Sequence, residues 1–410
     1  MTSPHSAATP MSAGRTAVIG GLMVAAGPLS ITLYGPALPT IVSELGTTDA
    51  MGKLSLSVYF GAFALAQLVC GPLSDSLGRR TVTVLFFALF VLGGLVAAFG
   101  PTIEWLLVGR VLQGIGVSVG SALSRAMVRD QFVGGESIRI LTMINLVLTV
   151  APAVAPTLGS LILLGGSWHV LFVVMGGYGL GIIALTLMAT RETHPLARRQ
   201  RFRPLTILRN YATLLAAPAF VLPALVLGLA FGGFYAFAAL LPFVLIDELG
   251  LTTFQFAMAM LIQTGSFIVG NLVAGQLARR LSGQGMVRVG LVLIVLAGLG
   301  FALGLTIFPG AVLAVMVPVG CWMLALAFIG PSATSAAMAG FGGIAGAASA
   351  LTGVFQIGGG FVGSTLASLA FASASAALTI LLPAIAALTV VAAVIQRVSI
   401  RLREAQPPET

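Results

Sequence analysis

The sequence predicts an all-helical membrane protein with twelve transmembrane spans in two halves, and three observations carry that prediction. Of 410 residues, 58% are hydrophobic and 8% charged, with mean hydropathy +1.08; ordinary soluble domains are about 25% charged. The apolar residues fall into runs of about 18 or more, the length a helix needs to cross a hydrocarbon core of about 30 Å. A polar interval near the midpoint, RETHPLARRQRFRPLTILRN at 191–210, separates six runs from six. Strictly alternating segments of about ten residues, the mark of a membrane barrel, are absent, and helices satisfy their own backbone groups in lipid.

The first run, 16–41, follows Arg15. It exceeds the roughly 7–15 apolar residues of a cleavable leader, so it is expected to be a span. The second, 54–73, and third, 81–100, are divided by GPLSDSLGRR at 71–80. Gly71 and Gly78 permit close packing and a tight reversal there, and Arg79 and Arg80 hold the turn inside. Topology alone gives no reason for Asp75.

The fourth run, 104–124, contains GRVLQGIGVSVG. Arg110 is the one strongly ionised group well inside a span, and an intramembrane arginine is a functional candidate because its burial is costly. Gln113 shares its helical face, so both are expected to face a polar cavity. The fifth run, 140–164, carries NLVLTVAPAVAPTLGS, with Pro152 and Pro156 four apart and Gly159 following. Each proline removes a backbone donor, and a kink on one face is expected. The sixth run is 168–189.

The second half repeats the pattern at 218–245, 254–277, 286–307, 310–330, 343–369 and 373–396. Its first run holds FGGFYAFAALLPF, 231–243, suited either to lining a pocket for an apolar or aromatic compound or to packing against lipid. GQLARRLSGQ, starting at Gly275 after the eighth run, faintly echoes the loop that starts at Gly71 after the second, as a duplicated transporter would. Gly116 with Gly120, Gly177 with Gly181, Gly228 with Gly232 and Gly359 with Gly363 are spaced for close helix contact.

Alternating spans put Arg15, Arg79, Arg80, Arg125, Arg129, Arg139, the linker arginines, Arg279, Arg280, Arg288 and Arg397 on one side. The other side has Lys53 as its cation, among Glu44, Asp49, Glu104, Asp247 and Glu248. Both termini are therefore expected in the cytoplasm. The same placement assigns the net charge of +9 to topology rather than to nucleic acid.

His5, His169 and His194 have no metal-binding spacing, no set of nucleophile, base and metal is visible, and neither an enzyme nor a cofactor is expected. Cys70 and Cys321 read as small buried hydrophobes. Tyr34, Tyr59, Gln67, Asn145, Tyr235, Gln263, Asn271 and Gln356 are the other polar or aromatic groups at mid-span depth. Each fits an interhelical hydrogen bond. Tyr34, Asn145, Tyr235 and Gln356 join Arg110 and Gln113 as candidates for substrate binding or coupling.

Taken in order along the chain, LYGPALP (33–39), GPLSDSLGRR, GRVLQGIG, LSRAMVRDQF (123–132), APAVAPTLGS and GAASALTGVFQ (346–356) resemble motifs of the major facilitator superfamily, within it the Bcr/CflA branch of drug:proton antiporters. The resemblance implies a monomer in the bacterial inner membrane. Its bundles would be 16–190 and 216–397, with tails 1–15 and 398–410, a linker at 191–215, and a central cavity opening alternately to either side. It further implies a small amphiphilic substrate, of chloramphenicol or bicyclomycin type or a related metabolite, exchanged for protons across the lipid bilayer. Asp75 would meet the N-terminal end of the eleventh span and latch the cytoplasmic side. Three positions depart from the pattern: Thr32 stands where the branch usually has an aspartate, Ser76 and His169 where arginine is usual. Threonine cannot take up a proton.

Overall fold

The computed structural model describes residues 11–194, 199, 202–371 and 373–404, and every regular element among them is helical. The first span is composite: α1 (Ala13–Thr32), a 3-10 turn (Gly35–Ala37) and α2 (Leu38–Glu44). Pro36 has no amide hydrogen to continue the α-helical ladder, which accounts for the break. Next come α3 (Asp49–Leu77) and α4 (Arg79–Phe99), and the fourth span is again two pieces, α5 (Ile103–Val117) and α6 (Val119–Gln131), meeting at Ser118 in a glycine-rich stretch. α7 (Gly134–Gly165) and α8 (Trp168–Ala189) complete the first half.

A linker helix, α9 (Pro204–Leu215), precedes α10 (Pro218–Pro242), which runs on into a π-helical turn (Phe243–Glu248). α11 (Thr253–Leu277), α12 (Gly283–Ile307), α13 (Val312–Met338), α14 (Ala345–Leu369) and α15 (Ala374–Glu404) follow. Among the described residues eleven segments are long and apolar enough to span a membrane, and α7 occupies the remaining expected span. Large apolar side chains such as Leu65, Leu92, Phe99 and Leu272 are exposed. That would be a liability in water and is what a lipid-facing surface requires.

In the first half α4 packs on α5 and α8, α1 on α6 and α7, and α3 on α5. In the second, α10 packs on α13, α14 and α15, and α12 on α13 and α15. The halves meet where α3 runs along α14 and α7 along α11. Those are spans two with eleven and five with eight, pairs that exchange when the halves are swapped, as duplication requires.

α7 is helical through Pro152 and Pro156, and the side chains of Pro152 and Asn145 lie outside the described residues. One expectation is corrected. Gly177 and Gly181 face outward and meet no neighbour, whereas the other three glycine pairs do make close contacts. An added Cβ at Gly232 would stand 2.9 Å from the Gly359 carbonyl oxygen, and one at Gly228 2.7 Å from that of Phe355. The linker interval contains α9, which buries Leu214 and donates a Tyr211 hydroxyl to the Leu68 carbonyl at 2.7 Å.

Candidate functional site

Arg110 lies fully buried on α5, inside the first half. Because α1 ends at Thr32, the Ser30 carbonyl is among the last four of its helix and has no partner within it. Arg110 Nη1 donates to that carbonyl at 3.1 Å and to Gln113 Oε1 at 2.8 Å. The guanidinium faces the Tyr59 ring at 4.2 Å and the Tyr34 ring at 4.9 Å. Tyr34 in turn shares a 2.6 Å hydrogen bond with Ser55. No carboxylate among the described residues pairs with Arg110, and its Nε and Nη2 have no hydrogen-bond partner. A desolvated cation on an aromatic face gains about 2 kcal/mol per face, which offsets part of the several kcal/mol its burial costs.

Arg110 and Gln113 thus share a helical face, as the spacing predicts, but neither lines the space between the halves. That space is a vestibule of about 840 Å³ on the arginine-rich side, leading to an inner chamber of about 120 Å³. Gln67, Arg125 and Ser349 line both and mark the junction. Tyr235 and Gln356, two of the candidates, line the inner chamber together with Phe63 and Thr352.

Beyond the chamber the halves close. The Tyr235 and Phe60 rings meet tilted with centroids 4.4 Å apart, Ser57 and Ser364 share a 2.8 Å hydrogen bond, and Lys53 Nζ stands 4.8 Å over the Phe243 ring. The molecule is open on the cytoplasmic side assigned by charge and sealed on the other.

The GPLSDSLGRR segment makes its polar contacts with the first half and the start of the linker. Gly78 takes φ +97°, the left-handed backbone that joins α3 to α4 in a single residue. Buried Arg79 pairs with Asp75 and, through Nε, with Asp130 at 3.2 Å. Glu192 accepts from the amides of Arg79 at 2.9 Å and Arg80 at 3.3 Å, satisfying donors that the start of α4 leaves free. Arg80 reaches the carbonyls of Thr186 and Leu187 at the end of α8. Asp75 makes no hydrogen bond to α14 among the described residues; it lines the vestibule, as do the residues that begin α14. Gly71 also lines that space and meets no neighbour in this conformation. Gly159 does serve close packing, lying against the Leu33 carbonyl at the end of α1.

Asp130, Glu192 and the position of Arg125 were not visible as site features. Asp130 had a signal, since it stands in LSRAMVRDQF beside Arg129. Glu192 lies more than a hundred residues from the amides it caps, which no local pattern reports.

Thr32 turns its hydroxyl back to the Pro28 carbonyl at 2.8 Å. Glu44 accepts from Trp168 Nε1 at 2.7 Å.

A family model described as Major Facilitator Superfamily matches residues 20–364. The chain is 31% identical over 339 residues to the uncharacterized MFS-type transporter YdgK of Bacillus subtilis, an alignment covering 82% of this chain and 84% of that one. It is 36% identical over 170 residues to the multidrug resistance protein MdtL of Shewanella oneidensis, covering 42% of this chain and 43% of MdtL. Among solved structures, a D-xylose-proton symporter superposes with TM-score 0.70 over 93% of this chain and 95% of that chain, at 16% identity. That likeness concerns the fold. Eleven apolar spans and α7 among the described residues, a cavity between the halves and matches of this extent lead to one assignment: the chain is a multi-pass membrane transporter, not an enzyme, and belongs to the Major Facilitator Superfamily.

Proposed function

We propose that the chain exports small amphiphilic compounds by alternating access in exchange for protons, as a member of the Bcr/CflA branch. The observation that carries this reading is the space between the halves, open to the cytoplasm and sealed beyond Tyr235 and Phe60. The partial match to MdtL, whose name is that of a multidrug resistance protein, supports drugs as cargo. Residues 16–190 and 216–397 act as the two rocking bodies, with 191–215 as their tether. Tyr235 and Gln356 contact the cargo, while Arg110, Gln113 and Tyr34 brace the first half behind it. Asp75 engages the start of α14 when the vestibule closes.

One specific observation favours a second reading, a facilitator with no proton exchange. Thr32 cannot be protonated, and its hydroxyl is bonded to its own helix. Proteoliposomes separate the two: an imposed proton gradient drives cargo uphill in an antiporter and leaves a facilitator at equal concentrations on both sides. Failure of wild-type vesicles to move any amphiphile faster than empty vesicles would end both readings.

A further inference from the structure

Arg125 belongs by sequence with the cytoplasmic cations that fix topology, but its place in the fold is different. Its Nε donates to the Ser121 carbonyl at 2.9 Å, one turn back on α6, which leaves its terminal nitrogens to the cavity. No carboxylate lies within ion-pairing distance of it among the described residues. Arg125 is also the one charged side chain among the described residues lining the inner chamber. In the vestibule the acid is Asp75, already paired with Arg79, and the remaining charges there are Arg129 and Arg203. Beside Arg125, Gln67 Nε2 donates to Ser121 Oγ at 3.4 Å, while its Oε1 is buried without a partner. Phe63 and Tyr235 form the apolar wall of the same chamber.

An unpaired guanidinium in a cleft with low-dielectric walls focuses a positive potential where cargo must sit. It offers a planar fork of donors suited to a carboxylate. From this geometry we infer that the chamber selects organic monoanions, carboxylates with an apolar or aromatic body, and disfavours lipophilic cations. The carboxylate pairs with Arg125, the body lies against Phe63 and Tyr235, and a donor on the cargo meets Gln67 Oε1. This rests on the transport reading above and names the cargo's charge, which that reading leaves open.

The test uses three probes of one shape, 2-naphthoate, its neutral amide and 2-naphthylmethylammonium, titrated calorimetrically into the purified full-length protein in detergent. The expected result is binding of naphthoate about 10-fold tighter than the amide, with the ammonium weakest. Arg125→Gln removes that preference and leaves the amide affinity within about twofold, Arg125→Lys keeps part of it, and Arg129→Gln keeps it. Thermal unfolding of each variant checks that it is folded. If acid and amide bind wild type equally, if the preference survives Arg125→Gln in folded protein, or if none of the three binds at millimolar concentration, the inference is overturned. Flux of the same probes through proteoliposomes keeps the two proposals apart. Binding with the charge preference but no flux ends the transport reading alone, and flux of all three without preference ends this inference alone.

Discussion

The Tyr59 ring lies 4.2 Å from the Arg110 guanidinium, and the Tyr59 hydroxyl donates to the Gly27 carbonyl at 3.1 Å. One side chain of α3 therefore steadies a buried charge on α5 and ties it to α1. Tyr59→Phe removes the hydroxyl bond and is expected to cost about 0.6 kcal/mol, typical of a hydrogen bond between membrane helices. Tyr59→Leu also removes the ring face and is expected to cost about 2 kcal/mol or more. Unfolding of the detergent-solubilised variants measures both, and equal losses would show that the ring face does not stabilise Arg110.

Gly71 and Gly78 stand in the same motif but answer differently to alanine. At Gly78 the backbone has φ +97° and an added Cβ would collide with the Glu192 and Arg199 side chains, so Gly78→Ala is expected to cost about 1–3 kcal/mol. At Gly71, inside α3 with nothing near, alanine is expected to be neutral or to stabilise by up to about 1 kcal/mol. Melting temperatures and membrane yields of the two variants give the comparison.

Asp75 and Asp130 both hold Arg79, at different depths. The Asp75 side chain is 47% exposed and the Asp130 side chain 14%. Asp75→Asn is expected to change stability by less than about 1 kcal/mol. Asp130→Asn is expected to cost more, about 2 kcal/mol, because it leaves the buried cation short of its more enclosed partner. If Asp75 engages the start of α14 in the closed state, Asp75→Asn also raises labelling of a cysteine placed at Ser349 on the vestibule wall. Native Cys70 is buried and Cys321 half-buried, which keeps the labelling background low. Unchanged labelling would mean that Asp75 has no part in closing the vestibule.

Glycine pairs that read alike in sequence are expected to separate under substitution. Gly232→Leu forces apart α10 and α14, whose backbones touch there, and is expected to abolish folded protein. Gly181→Leu, on an outward face with open space, is expected to leave yield and transport near wild type. Size-exclusion profiles of the two variants decide the matter.

The spans were legible because hydropathy is a property of each run by itself, and Arg110 because a charge in such a run is conspicuous. The breaks at Gly35–Ala37 and Ser118 were not, since a composite span keeps the same apolar length as a straight one. Arg125 was placed with the topology cations because a cavity arginine in the cytoplasmic part of a span and a loop arginine are identical in one dimension. The reason for Asp75 appeared only with Arg79 folded against it. Three of the four glycine pairs were placed correctly, and the fourth failed because the spacing says two small residues share a face and not what that face meets.

The contact between Gly228, Gly232, Gly359 and Gly363 has a mechanical consequence for the cavity wall that α10 and α14 carry. At these glycines backbone lies directly on backbone, which leaves little to compress or repack, so the two helices resist separation there. Tyr235 and Gln356 are mounted on a stiff plate of this kind. Under the proposed transport cycle, the width of cargo accepted against this wall is set by how far the halves travel. A broader range of cargo would have to come from the opposite wall, where Phe63, Gln67 and Arg125 project from helices with side chains to spare.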